Sequence, residues 1–371
     1  MLEVKIVETK NELLEFIKFP WKIYKNDPYW VPQLISETKS IFDTKKNPFW
    51  KHSEYRLFLV KQDKEILGRV AGIIDRNYIQ FQEELTGFFG FFECINDINV
   101  CEQLMFSVKN WLKIKGMKKI LGPTSPSTND EMGFLLEGFD SSPYLMMPYN
   151  PEYYLELITG VGFRKAKDLY AYNLTQNSIP YERLKKIVEA VTKKTPGLKI
   201  HNLNIKNFYK EIEFARNIYN SAWEKNWGFV PWTKEEFDYQ SKKLKNLLLP
   251  ETTLFATIND KPVGMLIAVP NYNCILKNLN GKLGPVELIK FLINKNKINT
   301  LRIMIMGVVK EYRNRGIEAL LYYNVINNAI KKGFYEGELS WILEDNIMMT
   351  RSAEMLGGKL YKKYRVFEME L

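Results

Sequence analysis

Apolar positions along this chain fall into two rhythms. Phe58–Ile74 and Leu254–Val269 are rich in β-branched and aromatic residues. Each is broken once by a short polar turn, and each predicts two strands joined as a hairpin. Gly87–Glu93, Lys118–Gly122, Leu301–Val309 and Gly337–Leu343 read as single strands. Helical segments lie between them. Those opening at Asn150 and Asn346 end at Gly162 and at Gly357-Gly358, a stop signal that precedes a closing strand in both cases. Strands alternating with helices predict an α/β (α+β) layering.

The pattern repeats. Gly68 and Gly264 occupy the same place in the two hairpins, an offset of 196. Asn150 and Asn346 keep that offset of 196, and Gly162 and Gly357 are 195 apart. Between these landmarks the second half has an extra helical stretch at about 273–296, and the first an extra loop at about 124–147. The stretch from about 176 to 200 predicts a linker and the second half's opening helix. Two domains are expected, 1–175 and 176–371, a size split that suits a chain of 371 residues.

Composition narrows the classes. With 46% hydrophobic and 14% aromatic residues, the chain has material for two cores. No apolar run reaches the roughly 18 residues of a membrane-spanning helix. The start Met1-Leu2-Glu3-Val4-Lys5 lacks the pattern of a secretory signal. Three cysteines form no CxxC and two histidines lie far apart, so neither a metal nor a disulfide framework is expected, and a reducing cytoplasm is. The net charge of +10 suits an anionic partner such as a polyanionic cofactor or a peripheral membrane contact. No zinc-finger spacing, RNP-like motif or basic heptad supports nucleic-acid binding.

The most informative stretch follows Leu301–Val309. Arg313-Asn314-Arg315-Gly316 joins this strand to an amphipathic helix that starts at Ile317. Orphan N–H groups and the helix dipole favour phosphate at such a junction, and Gly316 permits close approach. Val308-Val309-x-x-x-Arg313-x-x-Gly316-Ile317 resembles the pyrophosphate loop of the GNAT superfamily of acyl-CoA-dependent N-acyltransferases. Arg313 and Gly316 match two fixed positions, whereas Glu318 stands where that family has a small residue. With the repeat, the whole chain resembles a tandem GNAT protein of a bacterial double-GNAT family. That resemblance implies two units, each a twisted mixed sheet flanked by helices. It also implies a donor, acetyl-CoA or a longer acyl-CoA, and an amine acceptor. Relatives of this layout include lipid-pathway acyltransferases, some of which acylate long-chain amino bases in bacterial ceramide synthesis. Other tandem families use peptide or transfer-RNA-linked acceptors in building cell walls.

The halves differ in chemistry. After Gly87–Glu93 comes Cys94-Ile95-Asn96-Asp97-Ile98-Asn99-Val100, with neither glycine nor arginine, so only the second half is expected to hold the cofactor. The resemblance assigns cofactor contacts to Gly307, Val308 and Val309 at the strand edge, to Arg313, Asn314, Arg315, Gly316 and Ile317 in the loop, and to Asn346. The family's usual tyrosine is replaced by Ala353. Among the acids near the fifth strand of that half, Glu344 is the preferred base and Asp345 the second, with Glu338 nearby. In the first half, Asn129, Asp130 and Glu131 lie in a polar, turn-rich loop and are candidate acceptor contacts or turn caps. Tyr219, Trp223, Asn226, Trp227, Phe229, Pro231 and Trp232 form an aromatic cluster suited to an acceptor or acyl pocket, Trp227 above all, or to packing between the halves. Two functions follow as expectations. One is an acyl-CoA-dependent N-acyltransferase with its active site in the second half and acceptor contacts from the first. The other is a degenerate pair that binds CoA or another ligand without catalysis.

Overall fold

The computed structural model describes residues 1–371. Fifteen strands run in chain order. They are β1 (Leu2–Ile6), β2 (Ser53–Gln62), β3 (Glu65–Asp75), β4 (Thr86–Cys94), β5 (Lys119–Gly122), β6 (Thr124–Ser125), β7 (Glu131–Met132), β8 (Phe134–Glu137) and β9 (Arg164–Thr175). There follow β10 (Leu198–Asn202), β11 (Thr253–Ile258), β12 (Lys261–Pro270), β13 (Thr300–Val308), β14 (Glu336–Leu343) and β15 (Lys359–Glu370). The chain divides into two compact units. Unit 1 comprises Met1–Leu169, Asn273–Asn296 and Lys362–Leu371, and unit 2 comprises Tyr170–Tyr272 and Lys297–Tyr361.

A single cut near residue 175 therefore does not separate the units. The boundary passes through β9 after Leu169 and through β15 after Tyr361. The last ten residues of the chain belong to unit 1, and Tyr170–Thr175 of β9 belongs to unit 2. Unit 1 has strand order β1-β2-β3-β4-β5-β15-β9, with β8 also pairing β15; unit 2 has β9-β14-β13-β12-β11-β10. In both, antiparallel hairpins lead to one parallel pair, β4 with β5 and β13 with β14. The bidentate pair of Arg365 on Asp168 (2.7 and 2.9 Å) ties the borrowed strand β15 to β9 inside unit 1.

The expected repeat is visible in the hydrogen-bonding itself. The β2–β3 hairpin breaks register between Val60 and Lys61, and the β11–β12 hairpin between Ala256 and Thr257, 196 positions later. Each unit has its own core. In unit 1 the long helix Ile98–Ile114 buries Val100, Cys101, Leu104, Met105, Val108 and Leu112 against β2 and β3. In unit 2 the helix Ile317–Lys331 buries Ile317, Leu321, Tyr322 and Val325 against β11 and β12.

Three local expectations change. The first half's extra loop is not irregular: it holds β8 and the two-stranded β6–β7 pair. The second half's extra stretch forms helices Asn273–Leu279 and Pro285–Asn294, and it belongs to unit 1. Asn150 does not open the following helix, which starts at Tyr154; its amide oxygen accepts from the Leu135 backbone N–H at 2.5 Å.

Candidate functional site

The site forms where a parallel pair comes apart. β13 and β14 are paired from Thr300–Glu336 to Ile303–Leu339, and beyond that point they diverge. On its other side β13 stays paired with β12 through Val308, so the strand remains anchored while one edge is freed. A cavity of about 720 Å³ occupies the divergence. All of its lining residues belong to unit 2. Such a volume is typical of small-molecule sites.

A buried polar network holds the base of the cleft. Arg302 and Glu338 face each other across the last paired rungs, and both are buried. Arg302 Nε donates to Ser340 Oγ at 2.8 Å and lies 3.8 Å from Glu338 Oε1. Ser340 and Tyr361 donate their hydroxyl protons to the Glu338 carboxylate. A carboxylate so fully used by its own fold is a structural anchor, not a free base.

Above this base, one wall is Met304, Met306, Gly307 and Val308 of β13, and the facing wall is Leu339–Leu343 of β14. Trp223, Lys225, Asn226 and Trp227 close one side, where the helix Phe208–Trp223 ends. The Trp223 ring lies against Gly307 so closely that a Cβ there would sit 2.5 Å from it. The aromatic cluster thus packs within unit 2, with Tyr219 stacked on Trp223 at 4.6 Å.

The polar mouth is the loop before Ile317–Lys331. Asn314 (φ 60) and Gly316 (φ 76) are both left-handed, which turns the loop sharply into the helix. Gly316 is the N-cap residue and supplies no side-chain cap, so the first-turn N–H groups keep the unmet donor character of a helix start. The two arginines have different surroundings. Arg313 Nε donates to Val308 O at 3.2 Å and a terminal nitrogen donates to Ala222 O at 2.6 Å, so its guanidinium laces the loop to its neighbours. Arg315 is exposed with its guanidinium 5.1 Å from the Tyr312 ring centre. The backbone N–H groups at this helix start carry no side-chain cap.

Of the residues singled out from the sequence, Gly307, Val308, Arg313, Asn314, Gly316, Asn346, Asp345 and Trp227 line the cavity. Val309, Arg315, Ile317 and Glu344 are not among its lining residues, and Ile317 is fully buried in the core. Asn346 caps the helix Ile347–Met355, its side chain accepting from the Met349 N–H at 3.2 Å. Asn129, Asp130 and Glu131 lie in unit 1, where Ser127 donates to Asp130 at 2.6 Å and Gln33 to Glu131 at 3.1 Å.

One residue was missed. The Tyr322 hydroxyl is buried without a hydrogen-bond partner, and Tyr322 lines the cavity. Burial, reinforced by the Glu318 carboxylate one turn earlier, pushes its pKa well up, so it stays a protonated donor. Its position, six residues after Gly316, marks one face of the helix and is legible only once that face is known. Ala353, by contrast, is fully buried and is not among the lining residues, so a tyrosine there would have to enter the core.

Unit 1 has the same divergence and fills it. β4 and β5 are paired only from Thr86–Lys119 to Phe88–Leu121. Beyond, the chain's own β6 enters the gap: the Phe91 N–H donates to Ser125 Oγ at 3.2 Å, and a Cβ on Gly90 would lie 1.6 Å from Thr124 O. The helix that follows is capped by Asp97, whose carboxylate accepts from the Asn99 N–H at 2.8 Å. A carboxylate already occupies the place where an anion would bind.

Comparison with known proteins shows the family. Residues 212–357 match the acetyltransferase (GNAT) family, a span that holds every cavity-lining residue except Ile187. The chain is 34% identical to protein YghO of Escherichia coli (strain K12) over 99% of its own length and 95% of that protein's. It is 32% identical to a bacterial ceramide synthase of Caulobacter vibrioides over 100% of its length and 98% of that protein's. Among solved structures, a tandem GNAT protein from the clavulanic acid biosynthesis pathway aligns over 100% of this chain and 98% of its own, with a TM-score of 0.60 and 9% identity.

Proposed function

Because this chain belongs to the GNAT acyltransferase family as a tandem member, we propose that it transfers an acyl group from CoA to an amine in the unit 2 cavity. The observation that carries this reading is the open divergence of β13 and β14, whose mouth is the uncapped helix start at Gly316. Pantetheine would lie along the freed edge of β13 at Met306–Val308, with the pyrophosphate against the backbone N–H groups of Arg313–Ile317. Five methionines and three tryptophans among the lining residues suit a flexible acyl chain more than an acetyl group alone. The likeness to a ceramide synthase makes a long-chain amino alcohol the acceptor class of first choice.

In the reaction the amine nitrogen attacks the thioester carbonyl carbon, the C–N bond forms and the C–S bond breaks. Asp345, which lines the cavity, takes the proton that the nitrogen loses; Glu344 beside it does not line the cavity and is the weaker candidate. Tyr322 is a poor proton source, because its pKa is raised, but its buried and unpartnered hydroxyl keeps a proton to donate in a hydrogen bond to the negative charge that develops at oxygen or sulfur. The departing thiolate is protonated from solvent.

One observation favours the alternative, a CoA-binding protein without catalysis: Glu318 lines the same cavity and places a carboxylate near the phosphate loop. A transfer assay separates the two. Release of free CoA thiol from palmitoyl-CoA that depends on a long-chain amino alcohol supports catalysis. Asp345→Asn is expected to lower kcat about 100-fold and Tyr322→Phe about tenfold, with donor binding unchanged. Tight thioester binding without turnover of any amine would support the binding-only reading.

A further inference from the structure

The helix Pro285–Asn294 presents its apolar side outward. Val286, Leu288, Ile289, Leu292 and Ile293 are 58%, 47%, 58%, 49% and 62% exposed, and Leu283 just before them is 49% exposed. No residue of this helix is buried. At 100° per residue the five helical positions sweep an arc of roughly 160°, the face that a helix of this composition ordinarily hides. The half-buried residues toward the body are Glu287, Phe291 and Asn294.

The element is also firmly mounted. Pro285 stands at its first position, and Glu287 reaches back to accept from the Gly284 N–H at 3.1 Å. The preceding helix is fastened within unit 1 by Asn273 Nδ2 to Pro143 O (2.9 Å) and Lys277 Nζ to Ser142 Oγ (3.2 Å). The turn after it is held by Trp21 Nε1 to Asn280 Oδ1 (2.7 Å) and Ile35 N to Gly281 O (3.0 Å). An apolar face held out on a rigid stem is a docking element, not a frayed end.

We propose that this helix seats the protein on the surface of an anionic lipid bilayer. Lys282, Lys290 and Lys295 are all exposed and flank the apolar arc, so aliphatic side chains would enter the acyl boundary while ammonium groups meet lipid phosphates. The chain's net charge of +10 adds to the attraction. A second copy fits this face poorly: a ten-residue helix, about 15 Å long and roughly 10 Å across, offers a face on the order of 150 Å², well short of the roughly 800 Å² per partner of a stable interface, and it would set lysine against lysine. The inference does not depend on the acyl-transfer reading, because it is tested without any thioester.

Co-sedimentation of the full chain with vesicles tests it. One set is phosphatidylcholine alone, the other carries about 30% phosphatidylglycerol, enough to give an anionic surface. Binding to the anionic vesicles is expected to be at least tenfold stronger. Leu288→Ser/Ile289→Ser/Ile293→Ser should lose at least tenfold in affinity, and Lys290→Glu/Lys295→Glu should lose the preference for anionic lipid. A Cys274→Ser/Ile289→Cys variant carrying an environment-sensitive fluorophore should blue-shift on anionic vesicles. No vesicle binding by the wild type, undiminished binding by the triple variant, or a concentration-dependent dimer that the triple variant abolishes would each overturn the proposal.

Discussion

Two parallel strand pairs separate in this molecule, and their fates differ. In unit 1, β4 and β5 part after Phe88 and Leu121, and Thr124 and Ser125 enter the gap. In unit 2, β13 and β14 part after Ile303 and Leu339, and the space remains as a cavity of about 720 Å³. The next element repeats the contrast: a helix capped by Asp97 in one unit, and one led by a bare glycine in the other. The same sheet geometry thus yields a gap filled by its own chain in one unit and an open cavity in the other. The difference lies in whether local chain supplies the hydrogen bonds that a cofactor would otherwise supply.

The largest way to disturb this comparison is Gly90→Ala. A Cβ 1.6 Å from a backbone carbonyl leaves no room without expelling β6. We expect a loss of about 3 kcal/mol or more, read from a denaturant melt. A change under about 1 kcal/mol would mean that the filler is loosely held.

Next comes the anchor of the borrowed strand. Burial alone would raise the Asp168 pKa, but hydrogen bonds from Arg365 and Lys165 outweigh it and the net shift is downward. A depressed carboxylate adds stability that is present above its unfolded value near pH 4 and fades as pH falls through the folded value. Asp168→Asn is expected to cost about 1–2 kcal/mol at pH 7 and to flatten the acid limb of stability. An acid limb unchanged in the variant would remove this pair from the account.

The smallest effect is expected from Asp97→Ala, about 1 kcal/mol for a lost helix cap. Removing that carboxylate is not expected to create a second thioester site in unit 1, because the gap between β4 and β5 is still filled. Binding of a second equivalent by this variant would show that the cap, not the filler, had closed unit 1.

Much of this contrast was legible in the residues. The hairpin repeat, the glycine-led loop and the missing glycine and arginine after Glu93 all follow from local pattern, which short-range forces dictate, whereas the aromatic cluster around Trp227 left a pocket and packing between the halves both open. The rest depends on pairing between distant segments. The allocation of the part of β15 from Lys362 onward and of residues 273–296 to unit 1 is a choice among partners of similar local character. The filling of the β4–β5 gap by Thr124 and Ser125 rests on a turn whose landing place no periodicity reveals. Arg313 reads as a phosphate ligand by type, yet the Val308 and Ala222 carbonyls claim it. Glu338 reads as a free acid beside a site, yet it is fully buried among Arg302, Ser340 and Tyr361.

The central claim is that this chain has one thioester site and that it lies in unit 2. Calorimetric titration with palmitoyl-CoA and acetyl-CoA tests it directly, using the wild type and Gly316→Trp, with a melt of the variant to establish that it folds. Gly316 is left-handed, and a Cβ on it would meet Val191 at 2.5 Å, so a side chain there must deform the loop. The account predicts one equivalent per chain for the wild type, palmitoyl-CoA the tighter of the two, and at least 100-fold weaker binding by the folded variant. Two equivalents, or binding that Gly316→Trp leaves intact, would contradict it.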